Sequence, residues 1–472
     1  MSQSELCFME ATELVQRIRT KEVSCVEVME AHLAQIERVN PKVNAIVTLL
    51  PERAMEGARA ADKAISSGGP LQPLHGLPIA HKDLVPTKGI RTTYGSPIFK
   101  DHVPDQDALI VQRLRQAGAI TIGKTNTPEF GAGGQTFNEV FGETLNPYDV
   151  TKTCGGSSGG AAVSLACGML PIADGSDTGG SLRLPAAFCN VIGFRTSPGR
   201  VPVWPSDLGW WPISVQGPMA RTVGDTALML SAIAGPDPLQ PISLGDPGKK
   251  FREPLARDFR GVRVAWSPDF GGLPMDPRIV KVLEGQNRVF EELGCDVEVA
   301  CPDFEDAEEI FLVWRAWRME LRFGEMLKTH RHLMKDTLVW NTEEGQKLTG
   351  PQIGRAEMKR TQLYHRMRQF MQRYEFFLCP VTQVPPFDVK EPWVREINGV
   401  QMKNYIDWNR STWYLTITGH PCISIPCGFT EDNLPVGLQI VGRHQDDFGV
   451  LQLSDAFEKA TGIWKRRPPI AT

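Results

Sequence analysis

Along the chain the spacing of apolar residues changes period several times, and each change marks an element. Positions 1–67 carry helical spacing. Ser24, followed three positions later by Glu27, forms a capping box for a helix running to about Asn40, and Pro51 suits the first turn of the next one. Gly68-Gly69-Pro70 stops that helix. The apolar run at 77–80 then reads as a short buried strand leading into His81-Lys82-Asp83.

From 108 to 200 the two periods alternate: helix at 108–117, strand at 119–122, a helix of small residues at 158–167, strand at 170–173. Such alternation predicts an α/β layered sheet rather than separate all-α or all-β modules. The Pro- and Gly-rich stretch 242–254 reads as a linker or long surface loop. Beyond it come a strand at 262–266, a helix at 277–293, a strand at 297–299 and long helices near 303–330 and 354–373. Strands return at 422–426 and 437–441, and a helix closes the chain near 449–461. With no internal repeat, a single domain whose sheet is completed by distant segments is expected.

Composition removes several alternatives. Hydrophobic residues at 41% and charged residues at 22% describe an ordinary globular chain, and a net charge of −4 gives no basic footprint for nucleic acid. No apolar run reaches the roughly 18–20 residues that span a bilayer. The start Met1-Ser2-Gln3-Ser4-Glu5 lacks a basic-then-apolar signal, so a cytoplasmic location is expected. The ten cysteines form no CxxC pair and no zinc spacing, so they read as buried reduced thiols. His330 and His332 stand two apart, on different faces of a helix, which argues for a solvated surface and against a metal pair.

The chemistry concentrates in Gly155-Gly156-Ser157-Ser158-Gly159-Gly160 and Gly175-Ser176-Asp177-Thr178-Gly179-Gly180-Ser181-Leu182-Arg183. Glycine lets other groups approach the main chain closely, so these runs describe a shaped backbone site. A phosphate-cradling loop would need a lysine after its last spacer, and a dinucleotide loop would need G-x-G-x-x-G; neither is present. Nucleophilic catalysis fits better. A serine hydroxyl needs a base, and the oxyanion it generates needs fixed donors. Thr178-Gly179-Gly180-Ser181 can supply consecutive backbone N–H groups around one serine. None of the nine histidines lies in a motif tied to this core, which makes a lysine the better base.

Here the sequence resembles the amidase signature family. The two glycine–serine runs match its hallmark, with Ser157 and Ser181 standing 24 apart and followed by Arg183, Pro185 and Ala186-Ala187-Phe188-Cys189. The lysine motif Gly76-Leu77-Pro78-Ile79-Ala80-His81-Lys82-Asp83 is similar, as are Gly123-Lys124-Thr125-Asn126-Thr127-Pro128-Glu129-Phe130-Gly131, Gly419-His420-Pro421 and Leu434-Pro435-Val436-Gly437-Leu438-Gln439. The resemblance covers nearly the whole chain and is weakest from about 240 to 375.

What the resemblance implies is specific. The fold would be one large α/β/α layered domain over 1–472, with a mixed central sheet covered by helices. Residues 1–67 would form N-terminal helices, 75–200 the catalytic region and about 240–400 a variable cover over the substrate. Ser181 would be the nucleophile, and Ser157 would relay its proton to Lys82, with a cis peptide before Ser157. Thr178, Gly179, Gly180 and Ser181 would form the oxyanion hole. Asp177 and Arg183 would pair behind that loop, and Gly131 would offer its carbonyl to the substrate nitrogen. Ser158 could act there or simply cap its helix. Lys82 would need burial away from anions to be neutral, and Asp83 would point to the opposite face. The reaction expected is hydrolysis of a carboxamide on small, aryl or apolar amides by water, with carbamates and esters as further substrates. No cofactor, metal, nucleic acid or membrane is implied, and a homodimer is left open. The tRNA-dependent amidotransferase members of the same family are disfavoured because Gly131-Ala132-Gly133-Gly134-Gln135 replaces their Met-Gly-Ser-Ser segment. Trp204, Trp210, Trp211, Trp314 and Trp317 are read as core packing or as a pocket wall.

Overall fold

The computed structural model describes residues 2–471. Its two longest strands explain the centre of the molecule. Cys422–Phe429 and Pro435–Gly442 are apolar almost throughout, and every residue of the second is buried, so both of its faces must be covered. The cover comes from two helices. A Cβ on Gly437 would touch Ala187 of the helix Arg183–Phe188, and one on Gly442 would touch Val450 of the helix Asp447–Thr461. An odd separation along a strand places these two contacts on opposite faces. The sheet is therefore sandwiched.

Eight strands line up in the order Asp296–Val299, Arg263–Trp266, Phe376–Pro380, Pro435–Gly442, Cys422–Phe429, Ile192–Arg195, Val215–Ala220 and Ile172–Asp177. Arg263–Trp266 pairs in parallel with both of its neighbours, and every later pairing is antiparallel, which makes the sheet mixed. A second sheet holds Ile46–Leu49, Ile120–Thr125 and Pro78–Lys82, the last two in parallel. Its strand Pro78–Lys82 lies beside the edge strand Ile172–Asp177, and the Lys82 N–H donates to Asp174 Oδ1 at 2.8 Å. At that seam the functional site is built.

The helix Gly159–Ala166, made of small residues and buried on every side, fills the seam from behind. A Cβ on Gly160 would stand 2.3 Å from the Asn126 nitrogen and 2.5 Å from the Ala45 carbonyl, so only glycine allows this approach.

The expected elements are present with instructive differences. Ser24 and Glu27 form the capping box of Cys25–Val43, and Pro51 opens Pro51–Ser66. The N-terminal helices are interrupted by the strand Ile46–Leu49. The helix expected at 277–293 is two, Pro277–Leu283 and Gln286–Glu292, because Gly285 takes a left-handed φ of 83° between them. The stretch 242–254 is no free linker: Phe251 is buried to 2% exposure, and Arg200 holds Asp246 at 2.9 Å. All ten cysteines are free thiols, nine of them buried. Among the described residues no helix is long and apolar enough to cross a membrane, and no group of three metal-ligating side chains occurs.

Candidate active site

Lys82 ends the strand Pro78–Lys82, whose five residues are all buried. Its Nζ lies 2.7 Å from Ser157 Oγ, 2.8 Å from Ser158 Oγ and 3.2 Å from Ser176 Oγ. Burial lowers its pKa to about 7, against the opposing pull of Asp174 and Asp177. Carboxylates are therefore close after all, contrary to the expectation of a site away from anions, and desolvation outweighs them. A neutral amine has two N–H donors and one lone pair, so one of the three hydroxyls donates to the nitrogen while the other two accept.

The neighbours of Lys82 are turned elsewhere. His81 is fully buried, with Nδ1 on Asp174 and Nε2 on Thr121, so it offers nothing to the serines. Asp83 accepts from the N–H and hydroxyl of Thr93. Burial raises its carboxyl above the usual range.

Ser157 sits in the loop before Gly159–Ala166, and the Gly156–Ser157 peptide is cis. Ser158 makes no side-chain capping bond to that helix; its hydroxyl faces Lys82 instead. The Ser158 N–H donates to the Ser181 carbonyl at 3.2 Å and ties the two serine loops together.

Ser181 follows the turn that leaves Ile172–Asp177 and precedes Arg183–Phe188. It is half-buried, and its hydroxyl makes no hydrogen bond among the described residues. Gly180 carries a φ of 114°, and a Cβ there would lie 2.4 Å from Thr412 Oγ1. One expected oxyanion donor is taken: the Gly180 N–H donates to Asp177 Oδ1 at 2.9 Å. The N–H groups of Gly179 and Ser181 have no partner among the described residues. Thr178 faces Ser214 through its hydroxyl at 2.8 Å.

Behind this turn lies a buried ion cluster. Arg183 donates to both Asp177 oxygens at 3.1 Å, and Arg195 reaches Asp177 Oδ1 at 3.2 Å and its carbonyl at 2.6 Å. Burial alone would raise the Asp177 carboxyl, but the two guanidiniums and the Gly180 N–H hold it well below the carboxylate range. Arg183 also donates to Gln439 Oε1 and Thr416 Oγ1, from segments more than 200 residues away. Gly131, with φ 72°, stands where a Cβ would be 3.4 Å from Ser157 Oγ and 2.7 Å from Leu84.

Of the residues expected at the site, the structure pairs Asp177 with Arg183 and brings Lys82, Ser157 and Gly131 together. Ser176, Asp174, Arg195, Thr412, Thr416 and Gln439 were not singled out by the sequence reading. The strand expected at 170–173 stops short of the first two; along the observed strand Ile172–Asp177, positions 174 and 176 share one face, and both meet Lys82. The others come from distant segments, which no local spacing brings together.

Beside the serine turn runs a narrow crevice whose walls include Thr178, Trp211, Phe311, Trp314 and Arg318. Trp211, Trp314 and Trp317 form a triangle with ring centroids 5.1–5.5 Å apart, so Trp211 and Trp314 are at once packing and wall. Trp210 is 75% exposed.

Comparison with known proteins fits this geometry. The family model described as amidase matches residues 27–451. The acylamidase of Rhodococcus erythropolis is 34% identical over 99% of this chain and 98% of its own. A glutamyl-tRNA(Gln) amidotransferase chain of Geobacillus kaustophilus (strain HTA426) is 34% identical over 97% of this chain and 98% of its own. Among solved structures, a bacterial aryl acylamidase of the amidase signature family superposes with a TM-score of 0.92 at 30% identity, covering 98% of both chains.

Proposed function

Because the chain belongs to the amidase signature family and is an amide-hydrolysing enzyme, we propose that it works through a covalent acyl-enzyme on Ser181, with Ser157 and Lys82 as its proton relay. Neutral Lys82 takes the Ser157 proton as Ser157 takes that of Ser181, and Ser181 Oγ attacks the amide carbon. The oxyanion formed is held by the N–H groups of Gly179 and Ser181, with Thr178 at the edge of the same turn. Collapse breaks the C–N bond. The proton held by Lys82 returns through Ser157 to the departing nitrogen, which the Gly131 carbonyl orients. Water then repeats the sequence in reverse roles and releases the acid.

The observation that carries this reading is the buried Lys82 amine, brought to about pKa 7 and in contact with Ser157 and Ser158. An amine that is half-deprotonated at neutral pH is a competent base, and a lysine at its ordinary pKa is not. Asp177, Arg183 and Arg195 support the turn from behind. An aryl group on the amide is in line with what the aryl acylamidase relative is named for. The helices Ala307–His330 and Asp336–Gln346 would act as the substrate cover within a single domain over the whole chain. Carbamates and esters present the same carbonyl to the same serine and are proposed as further substrates.

A panel of aryl anilides, primary amides, carbamates and esters on purified protein, with no tRNA or partner, tests the proposal. Ser181→Ala should lose several orders of magnitude in turnover while remaining folded. Retention of more than about a tenth of the activity would sink it.

A further inference from the structure

The crevice beside Thr178 is rich in donors that nothing satisfies. Trp211 is only 8% exposed, and its Nε1, like that of Trp314, is buried without a hydrogen-bond partner. Arg318 enters the same crevice from the helix Ala307–His330 and lies over the Trp211 ring at 5.7 Å. Among the described residues it makes neither a hydrogen bond nor an ion pair, and the same holds for Arg322 one turn on. Arg315, one turn before, is committed to two neutral acceptors, Asn341 Oδ1 at 2.8 Å and the Tyr405 hydroxyl at 2.7 Å. Positions 315, 318 and 322 share one face of the helix, so three guanidiniums converge with no carboxylate paired to any of them. The arginines behind the serine turn are treated differently, since Arg183 and Arg195 both hold Asp177.

Buried donors without acceptors such as the two indole N–H groups are costly, and like charges held close together repel even where, as at Arg318, they are only partly buried. Burial, then Arg322 and Arg315, lower Arg318 to about 9. The space between these groups is about 10 Å³, room for a single acceptor oxygen. The partner that meets each deficit is therefore a compact anion that puts one oxygen between the indoles while Arg318, partly exposed, holds the rest. We infer that the crevice seats a carboxylate of the substrate, recognised by the Arg318 guanidinium and the indole N–H groups of Trp211 and Trp314, so that the enzyme prefers amides bearing a carboxylate to their neutral counterparts. The inference rests on the proposed reaction at Ser181, because Thr178 belongs both to that turn and to the crevice wall.

The test uses matched pairs that differ only in charge. One pair carries it on the acyl side, the 4-nitroanilides of succinic and of succinamic acid. The other carries it on the amine side, N-acetyl-4-aminobenzoate and its benzamide. Charge-assisted hydrogen bonds predict that in one pair the acid exceeds the neutral member in kcat/KM by about tenfold or more. The advantage should shrink as ionic strength rises. Arg318→Gln should bring the ratio close to one, and Arg318→Lys should keep part of it. A wild-type ratio near one in both pairs overturns the inference even if the variant does not fold, as does a ratio that survives Arg318→Gln. Equal hydrolysis of acid and neutral members leaves the Ser181 reaction standing and removes the carboxylate seat alone, whereas no hydrolysis of any member removes both.

Discussion

The pH profile of acylation follows from the burial of one amine. Lys82 must be neutral to accept a proton, and burial brings it from an ordinary 10.5 to about 7. At pH 7.4 the neutral fraction is then roughly 0.7, whereas an unshifted lysine would be neutral to about one part in a thousand. Burial is therefore responsible for nearly three orders of magnitude in available base. The acylation rate, read from the first turnover of a nitroanilide in a stopped-flow instrument, should rise about tenfold from pH 6 to pH 8 and level off above it, along a single ionisation. Lys82→Arg keeps a cation that cannot lose its proton, so the limb should vanish and the rate should fall strongly. His81 is not placed to act as the base, because both its ring nitrogens are turned to Asp174 and Thr121. The same shift has a stability consequence of fixed sign. The folded amine binds fewer protons than the unfolded one between pH 7 and 10.5, so stability rises with pH through that window, and Lys82→Met should be more stable than wild type at neutral pH by a few kcal/mol. A flat profile from pH 6 to 8, or an unchanged limb in Lys82→Arg, would refute the reasoning.

Two further expectations concern the serine turn. Asp177→Asn removes the one anion between Arg183 and Arg195 and should cost about 3–5 kcal/mol in denaturant unfolding, with activity lost alongside. Since the Asp177 carboxyl is held below its unfolded value, its contribution in wild type should be present above the usual carboxylate range and fade as pH falls below it. Gly180→Ala places a Cβ 2.4 Å from Thr412 Oγ1 at a φ of 114°, and should lower kcat far more than it changes KM for an anilide; an equal effect on both would remove Gly180 from the catalytic turn.

Much of this site is legible in the sequence because its parts are local. Glycine runs, the strand before Lys82 and the strand–turn–helix around Ser181 are each contained within one stretch of no more than 17 residues. The layered α/β character is legible for the same reason, since period changes along the chain mark five of the eight strands of the main sheet. Ile192–Arg195, Val215–Ala220 and Phe376–Pro380 were not anticipated, and the mixing of strand directions was implied by the resemblance alone. What sequence conceals is assembled over distance. Thr412 and Thr416 from one helix and Gln439 and Arg195 from two strands surround Asp177 and Arg183, and the donor-rich crevice joins Trp211 to a helix about a hundred residues later. The strand Ile46–Leu49 and the break at Gly285 show the other limit. Tertiary pairing with Ile120–Thr125 makes the first, and one left-handed glycine makes the second, against helical spacing on both sides. Asp174 is the instructive near miss, since the strand expected at 170–173 stops one residue before it, and alternation along the observed Ile172–Asp177 puts it and Ser176 on the face that meets Lys82.

The central claim is that Ser181 carries the acyl group, and covalent capture addresses it most directly. A fluorophosphonate reacts only with an activated serine, so purified enzyme treated with one, digested and mapped by mass spectrometry reads the nucleophile itself. The account predicts a single stoichiometric adduct on Ser181, absent in Ser181→Ala and strongly slowed in Lys82→Arg. An adduct on Ser157 or Ser158, or amide turnover that survives with Ser181 fully modified, would contradict it.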